Sequence, residues 1–269
     1  MELSYILNQL GEEHETQDGA VAPPIVQSSN FAYPSVTAMR AGIADELTHY
    51  FYTRGNNPTV EILRRKVAAL EGTEDALVFS SGSGAISAAV MSQVSTGGHI
   101  ISIAKPYSWT NQLLQNLLPR FGVETTFVDG TEPRHFEAAI RPETQLIILE
   151  SPNSVTFEQQ DLEAVSAIAR RHGIPTLIDN SYASPLFQQP AAFGIDIICH
   201  SATKYLNGHS DVVGGVVCGS KAFIQQLFDG EYMTLGAVIS PNDAWLMIRG
   251  LRTLDVRMQR VADTTEGLI

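Results

Sequence analysis

The stretch His200-Ser201-Ala202-Thr203-Lys204-Tyr205-Leu206-Asn207-Gly208-His209 follows a short apolar run at 196–200. A lysine leaving the end of a buried strand stands over the crevice where open α/β sheets take their ligands. In a partly desolvated site, lysine gives up its proton readily and becomes a Schiff-base nucleophile. Hydroxyls at Ser201 and Thr203 on the same loop are suited to a phosphate. Asp179, in Thr176-Leu177-Ile178-Asp179-Asn180, likewise ends an apolar run, one strand–helix unit upstream. Taken singly, Lys204 reads as a solvated loop cation and Asp179 as a helix cap or metal ligand. At neighbouring strand ends the two suit pyridoxal 5′-phosphate (PLP). The lysine holds the aldehyde, and the carboxylate keeps the ring nitrogen protonated, which makes the ring an electron sink.

A third segment, Phe79-Ser80-Ser81-Gly82-Ser83-Gly84-Ala85-Ile86, runs from a strand into a helix. Its glycines let backbone N–H groups approach an anion, and the helix start adds partial positive charge. The Gly-x-Gly-x-x-Ser spacing half-matches a dinucleotide fingerprint, but the next strand ends in Ser102-Ile103-Ala104-Lys105, without the required acid. Tyr107 could stack on a flat ring or be an ordinary half-buried tyrosine. Tyr52-Thr53-Arg54-Gly55-Asn56-Asn57-Pro58 presents an arginine suited to bidentate phosphate contact, or to solvent. Gly208-His209-Ser210-Asp211-Val212 has Val where a serine-nucleophile elbow needs Gly. The seven histidines are scattered and no His-Glu-x-x-His or Cys-x-x-Cys occurs, so hydrolase and metalloenzyme readings fare badly.

The elements that must position these residues alternate in type. Apolar runs at 76–79, 99–103, 125–128, 146–149, 176–178, 196–200 and 212–218 predict about seven mostly parallel strands, buried on both faces. Between them Asn57 and Pro58 open a helix that Gly72 closes, with Ile62, Leu63, Val67 and Leu70 on one face. Leu162, Val165, Ile168 and Ala169 stripe another, which ends in Arg170, Arg171, His172 and Gly173. The first ~30 residues show no such period and read as an extended arm. Past residue 223 the pattern is helical only. The expected division is an arm and dimer-contact segment at 1–57, a cofactor-binding α/β domain at 58–238, and the start of a helical connection at 239–269.

Composition narrows the partners. Lys+Arg 17 against Asp+Glu 29 leaves a net charge of −12 in 269 residues. Such a balance repels phosphate backbones and anionic lipid faces, so neither nucleic-acid nor membrane binding is expected. Charged residues are only 17%, against roughly 25% in ordinary globular chains, which points to extra buried surface, as between subunits. Two cysteines, Cys199 and Cys218, make no disulfide framework. The N-terminus is acidic where a signal peptide is basic, and no apolar run approaches ~18–20 residues, so a soluble cytoplasmic chain is expected.

Several ordered motifs together resemble the Cys/Met-metabolism, or trans-sulfuration, family of PLP-dependent enzymes. They are Ser201-Ala202-Thr203-Lys204-Tyr205-Leu206-x-Gly208-His209-Ser210-Asp211, Tyr52-x-Arg54-x-x-Asn57-Pro58-Thr59, Ser81-Gly82-x-Gly84-Ala85-Ile86, Glu150-Ser151-Pro152, Ile178-Asp179-Asn180 and Arg249-Gly250-Leu251-Arg252-Thr253-Leu254. The resemblance implies the large PLP domain of an aspartate-aminotransferase-like, fold type I enzyme. It also implies that Lys204 carries the cofactor as a Schiff base, that Asp179 pairs with the pyridine nitrogen, and that Tyr107 stacks on the ring and counts with Lys204 as catalytic. Gly82 and Ser83 amides and the Ser201 and Thr203 hydroxyls would hold the phosphate. Tyr52 and Arg54 would reach the phosphate of a neighbouring subunit in a dimer or homotetramer with shared sites.

Two departures accompany the likeness. Ser151-Pro152-Asn153-Ser154-Val155-Thr156 replaces the Ser-x-Asn-Pro of many members and looks like cystathionine β-lyases, leaving the contact to the ring oxygen unassigned between Asn153 and Ser154. The smaller C-terminal domain, with its arginine for the substrate carboxylate, has no counterpart in this sequence. The favoured expectation is a carbon–sulfur lyase performing a β-elimination that gives a thiol, pyruvate and ammonia. Its alternatives are γ-elimination or γ-replacement within the family, and a truncated PLP-binding protein with little turnover. A Rossmann-type oxidoreductase ranks last.

Overall fold

The computed structural model describes residues 1–268. Its centre is one sheet of seven strands: β1 (Asp75–Phe79), β2 (His99–Ile103), β3 (Glu124–Val128), β4 (Thr144–Glu150), β5 (Thr176–Asp179), β6 (Ile197–His200) and β7 (Gly215–Gly219). Their spatial order is β1-β7-β6-β5-β4-β2-β3. The β2–β3, β2–β4, β4–β5 and β5–β6 pairs are parallel, whereas β7 runs antiparallel to both β6 and β1. This geometry brings the carboxyl ends of β1, β2, β4, β5 and β6 to one edge, the side where such sheets take ligands.

The helices that bear on the site are α1 (Leu3–Asn8), α2 (Pro58–Glu71), α3 (Gly82–Met91), α4 (Leu162–His172), α5 (Lys221–Leu227), α6 (Pro241–Leu251) and α7 (Leu254–Glu266). Strand side chains alternate between two cores. Val78, Leu149, Ile178, Ile198 and Val216 pack with α1, α2, α4, α6 and α7, while Leu77, Ile148, Leu177, Cys199 and Val217 pack with α3 and α5. Helix ends behave as their residue types dictate. Asn57 accepts from the Thr59 N–H at 2.9 Å, and α4 starts on Asp161, whose side chain accepts from the Ala164 N–H. Arg170, Arg171 and His172 crowd the negative end of α4 before Gly173 stops it in the left-handed conformation. No described helix is long and apolar enough to cross a membrane.

The structure departs from the sequence-based expectation in four places. The first is the supposed extended arm, whose opening residues form α1, with Ile6, Leu7 and Leu10 buried in the core. A helix of six residues is too short to display a period, and tertiary packing makes it. Second, β3 is an edge strand and only half-buried, because nothing pairs with its outer side in the sheet. Third, the last strand begins at Gly215 rather than at 212, since both polar backbone groups of Gly214 are taken by Thr203. Fourth, β6 begins at Ile197, because the Asp196 carboxylate turns to accept from the Thr176 N–H and hydroxyl, each at 2.8 Å.

A buried charge cluster anchors α1. The Lys66 ammonium on α2 donates to the Ile6 carbonyl at 2.8 Å and the Leu7 carbonyl at 3.2 Å, and lies 3.0 Å from Glu12 Oε1. Arg252 pairs with the other Glu12 oxygen. Lys66 therefore satisfies carbonyls that the end of a short helix leaves open. Burial pushes its ammonium below the usual lysine range, against the pull of Glu12. Removing one partner of a fully buried pair typically costs about 3–5 kcal/mol. Lys66→Ala should lower the unfolding free energy by about 3 kcal/mol in a urea titration, and a loss below about 1 kcal/mol would show that the cluster does not hold the N-terminal segment.

Candidate active site

The Lys204 turn leaves β6 and folds back on itself before β7. Lys204 N–H donates to the Ser201 carbonyl at 3.1 Å, Asn207 N–H to Ala202 at 3.0 Å and Gly208 N–H to Lys204 at 2.8 Å. The side chain of Lys204 is exposed, and among the described residues its amine has no hydrogen bond or ion pair. A lysine free of partners is available for covalent chemistry.

Asp179 closes β5, in register with Glu150 of β4 on one side and Cys199 of β6 on the other. Its Oδ1 accepts from the Ser181 N–H at 3.0 Å and the Ser181 hydroxyl at 2.5 Å. Ser181 Oγ in turn accepts the Ser201 N–H at 2.6 Å, which couples the carboxylate to the start of the lysine turn. Burial raises the Asp179 carboxyl above its ordinary 3.8, opposed by the Ser181 donors and by His200. Oδ2 accepts no hydrogen bond among the described residues.

The third strand end supplies an anion seat. Ser81 caps α3 by accepting the Gly84 N–H at 3.0 Å, while the Gly82 and Ser83 amides have no acceptor among the described residues. The start of α3 lies directly against Ser201. A Cβ on Gly82 would lie 2.7 Å from Ser201 Cα and 2.9 Å from its hydroxyl oxygen, so only glycine permits this approach. The Ser201 hydroxyl makes no hydrogen bond of its own among the described residues. Two free amides at a helix start and one free hydroxyl therefore converge, a set of donors that fits a phosphate group. The free Oδ2 of Asp179 and the unpaired Lys204 amine, at the ends of adjacent strands, are of the types that would fit the ring nitrogen and the aldehyde of PLP.

The remaining predicted residues fall less uniformly. Tyr107 lies just past β2, its N–H donating to Glu150 Oε2 at 2.6 Å and the residue 39% exposed. Thr203 lies in the turn, but its hydroxyl donates to the Gly214 carbonyl at 3.2 Å and accepts the Gly214 N–H at 3.0 Å. Tyr52 and Arg54 lie on each other, the guanidinium carbon 5.3 Å from the ring centre, and neither shares a hydrogen bond or ring contact with Lys204, Asp179 or Tyr107. Asn153 spends its amide on backbone, donating to the Lys105 carbonyl beyond β2 at 2.5 Å and accepting from the Val155 and Thr156 N–H groups of its own loop. The Ser154 hydroxyl is bonded to Glu150.

Three supporting residues carry no sequence signal of their role. Glu150 gathers Tyr107 and Ser154, and its carboxyl is pushed above the ordinary 4.5 by burial and then by nearby Asp179. Behind Asp179, buried His200 bonds Glu71 of α2, whose Oε1 also accepts from Asn180 Nδ2 at 2.8 Å. Glu150 and His200 sit inside the motifs above, yet only the fold shows what they touch. Glu71 stands apart from every motif, and no pattern marks it.

Comparison with known proteins identifies the family. The family model for the Cys/Met metabolism PLP-dependent enzymes matches residues 6–268, and the chain belongs to that family. It is 41% identical over 245 residues to an L-methionine gamma-lyase of Treponema denticola, covering 90% of this chain and 61% of that protein. It is 40% identical over 248 residues to the cystathionine gamma-lyase of Bacillus subtilis, covering 92% of this chain and 63% of that one. The crystal structure of metB from Corynebacterium glutamicum superposes with a TM-score of 0.93 at 35% identity, covering all of this chain and 68% of the other. The chain thus spans under two thirds of the length of these two curated relatives. The fold type and the PLP dependence of the family match the expectation from the motifs.

The raised Asp179 carboxyl gives a signed prediction. Above the ordinary carboxylate value the folded chain keeps a proton that the unfolded chain has lost, so stability falls as pH rises through that window. In urea titrations of the PLP-free protein from pH 4 upward, Asp179→Asn should gain stability relative to the parent as pH increases. A difference that stays flat with pH would contradict the buried, ionising carboxylate.

Proposed function

We propose that this chain is the PLP-binding part of a carbon–sulfur lyase acting on a sulfur-containing amino acid. The observation that carries the reading is the meeting of Gly82 and Ser201 beside Asp179 and the Lys204 turn. When bound, PLP would supply an electron sink for the charge left on the substrate Cα. The Gly82 and Ser83 amides and the Ser201 hydroxyl would hold its phosphate, Asp179 Oδ2 its ring nitrogen and Tyr107 its ring face. Lys204 Nζ is the base that takes the Cα proton, a role commonly worth roughly 10²–10⁴-fold in rate. Thr203 serves this arrangement by fixing Gly214 and hence the turn. Exposed Tyr52 and Arg54 would meet the phosphate of a second copy, with residues 1–57 forming that contact.

Cleavage at the γ position is favoured by the likeness to L-methionine gamma-lyases and a cystathionine gamma-lyase. It requires a second proton loss, at Cβ, which Lys204 Nζ would also manage. A β-elimination is the second reading, and Ser151-Pro152-Asn153-Ser154-Val155-Thr156 is the feature that favours it. Purified chain given PLP and cystathionine separates the two. 2-Oxobutyrate plus cysteine means γ-cleavage, and pyruvate plus homocysteine means β-cleavage. A visible PLP band without either keto acid would mean that this length of chain binds the cofactor and turns over little.

Two substitutions test the site itself. Lys204→Ala should abolish both the visible band and borohydride-stable attachment of PLP; a band that persists in that variant would refute the assignment. Gly82→Ala should weaken PLP binding at least about tenfold, ~1.4 kcal/mol, in a fluorescence titration. Unchanged affinity would remove the phosphate from the start of α3.

A further inference from the structure

The turn that carries Lys204 is gripped from outside by one side chain. Arg257, on α7, donates from Nη1 to the Tyr205 carbonyl at 2.8 Å and from Nη2 to the Gly250 carbonyl at 2.9 Å. Its Nε donates to Thr253 Oγ1 at 3.1 Å, so all three nitrogens of the guanidinium are committed. Among the described residues, no other side chain beyond 201–214 hydrogen-bonds the backbone of 203–208. The guanidinium lies directly over Gly208, where φ is +74° and any Cβ would overlap Nη1. From the other side α6 closes in, since a Cβ on Gly250 would overlap the Asn207 carbonyl. Asn207 is fully buried between them and donates to Asp211 Oδ1 at 2.8 Å.

We propose that Arg257 is a positioning residue for Lys204, holding the turn in the conformation that presents the amine to the cofactor. The Tyr205 carbonyl belongs to the residue directly after Lys204, and the turn's own bonds fix only its interior. A planar fork reaching two carbonyls fixes orientation as well as distance, which a lysine in its place cannot do. Losing it leaves the turn's other bonds and the core leucines intact, so the chain should fold while the amine wanders. Small errors of placement at a reacting atom are costly in rate.

This inference rests on the reading of Lys204 as the PLP anchor, and the experiment separates the two. The full chain, Arg257→Met, Arg257→Lys, Lys204→Ala and the exposed-surface control Arg260→Ala are loaded with PLP to equal occupancy, verified by phosphate content. Borohydride then traps the Schiff base, and peptide mass spectrometry reads the fraction of bound PLP attached at residue 204 and its rate of attachment. Arg257→Met keeps the aliphatic stem and is expected to slow attachment about tenfold. Arg257→Lys should recover part of the loss, and Arg260→Ala should attach PLP at the parent rate. Attachment by Arg257→Met at the parent rate and extent overturns the proposal. Should that variant not fold, attachment by Arg257→Lys at the parent rate does so instead. Trapping that survives Lys204→Ala would instead sink the anchor assignment on which the proposal stands.

Discussion

A single hydroxyl joins the two halves of the site. Ser181 donates to Asp179 and accepts from the Ser201 N–H, so the carboxylate that ends β5 and the turn that leaves β6 share one hydrogen-bonded link. The parallel β5–β6 register brings the two strand ends side by side, but register alone does not say where the chain goes next. Ser181 supplies that direction. With it in place Ser201 lies against Gly82 at the start of α3, and Lys204 follows three residues later. Remove the link and three separate strand ends remain, each with an unremarkable loop.

The carboxylates on this edge are held at a cost. Asp179 and Glu150 sit on adjacent strands in direct register, both desolvated, and Asp179 adds to the reluctance of Glu150 to ionise. Ser154 and the Tyr107 N–H offset that cost at Glu150, as Ser181 and His200 do at Asp179. The design leaves one atom over, Asp179 Oδ2, without a hydrogen bond among the described residues. A desolvated carboxylate with a spare oxygen would gain from a cationic N–H donor, because such a contact offsets the cost of its desolvation. Stability and binding are thus linked at the same oxygen.

Much of this was legible in the sequence for a specific reason. Strands buried on both faces read as unbroken apolar runs, so the residues that end them, Phe79, Asp179 and His200, announce the sheet edge. Glycine at 82 and lysine at 204 stand just beyond, and the family motifs tie them together. What stayed hidden are contacts that span the chain. α1 exists because an ammonium 60 residues away takes its terminal carbonyl, and nothing within Leu3–Asn8 signals that. Glu71 meets His200 across 129 residues, and Arg257 meets Tyr205 across 52. Local pattern carries no information about such pairs. Thr203 shows the converse limit, since its motif position is clear yet its hydroxyl is occupied by Gly214, which only the three-dimensional path of the loop reveals.

The junction between α6 and α7 touches both the N-terminal segment and the turn that carries Lys204. Arg252 pairs there with Glu12, and Arg257, one turn further on, holds the Tyr205 carbonyl. The junction is stiffened from within, as Gly250 accepts from both Thr253 Oγ1 and Arg257. Glu12 is fully buried between Lys66 and Arg252, and a carboxylate so desolvated has no solvent alternative to its two cations. Detaching the N-terminal segment would strand Lys66 as well, so α1 belongs to the folded unit despite its brevity. A displacement of α7 would therefore be felt at two distant points at once, the carbonyl beside Lys204 and the carboxylate that pins the N-terminus.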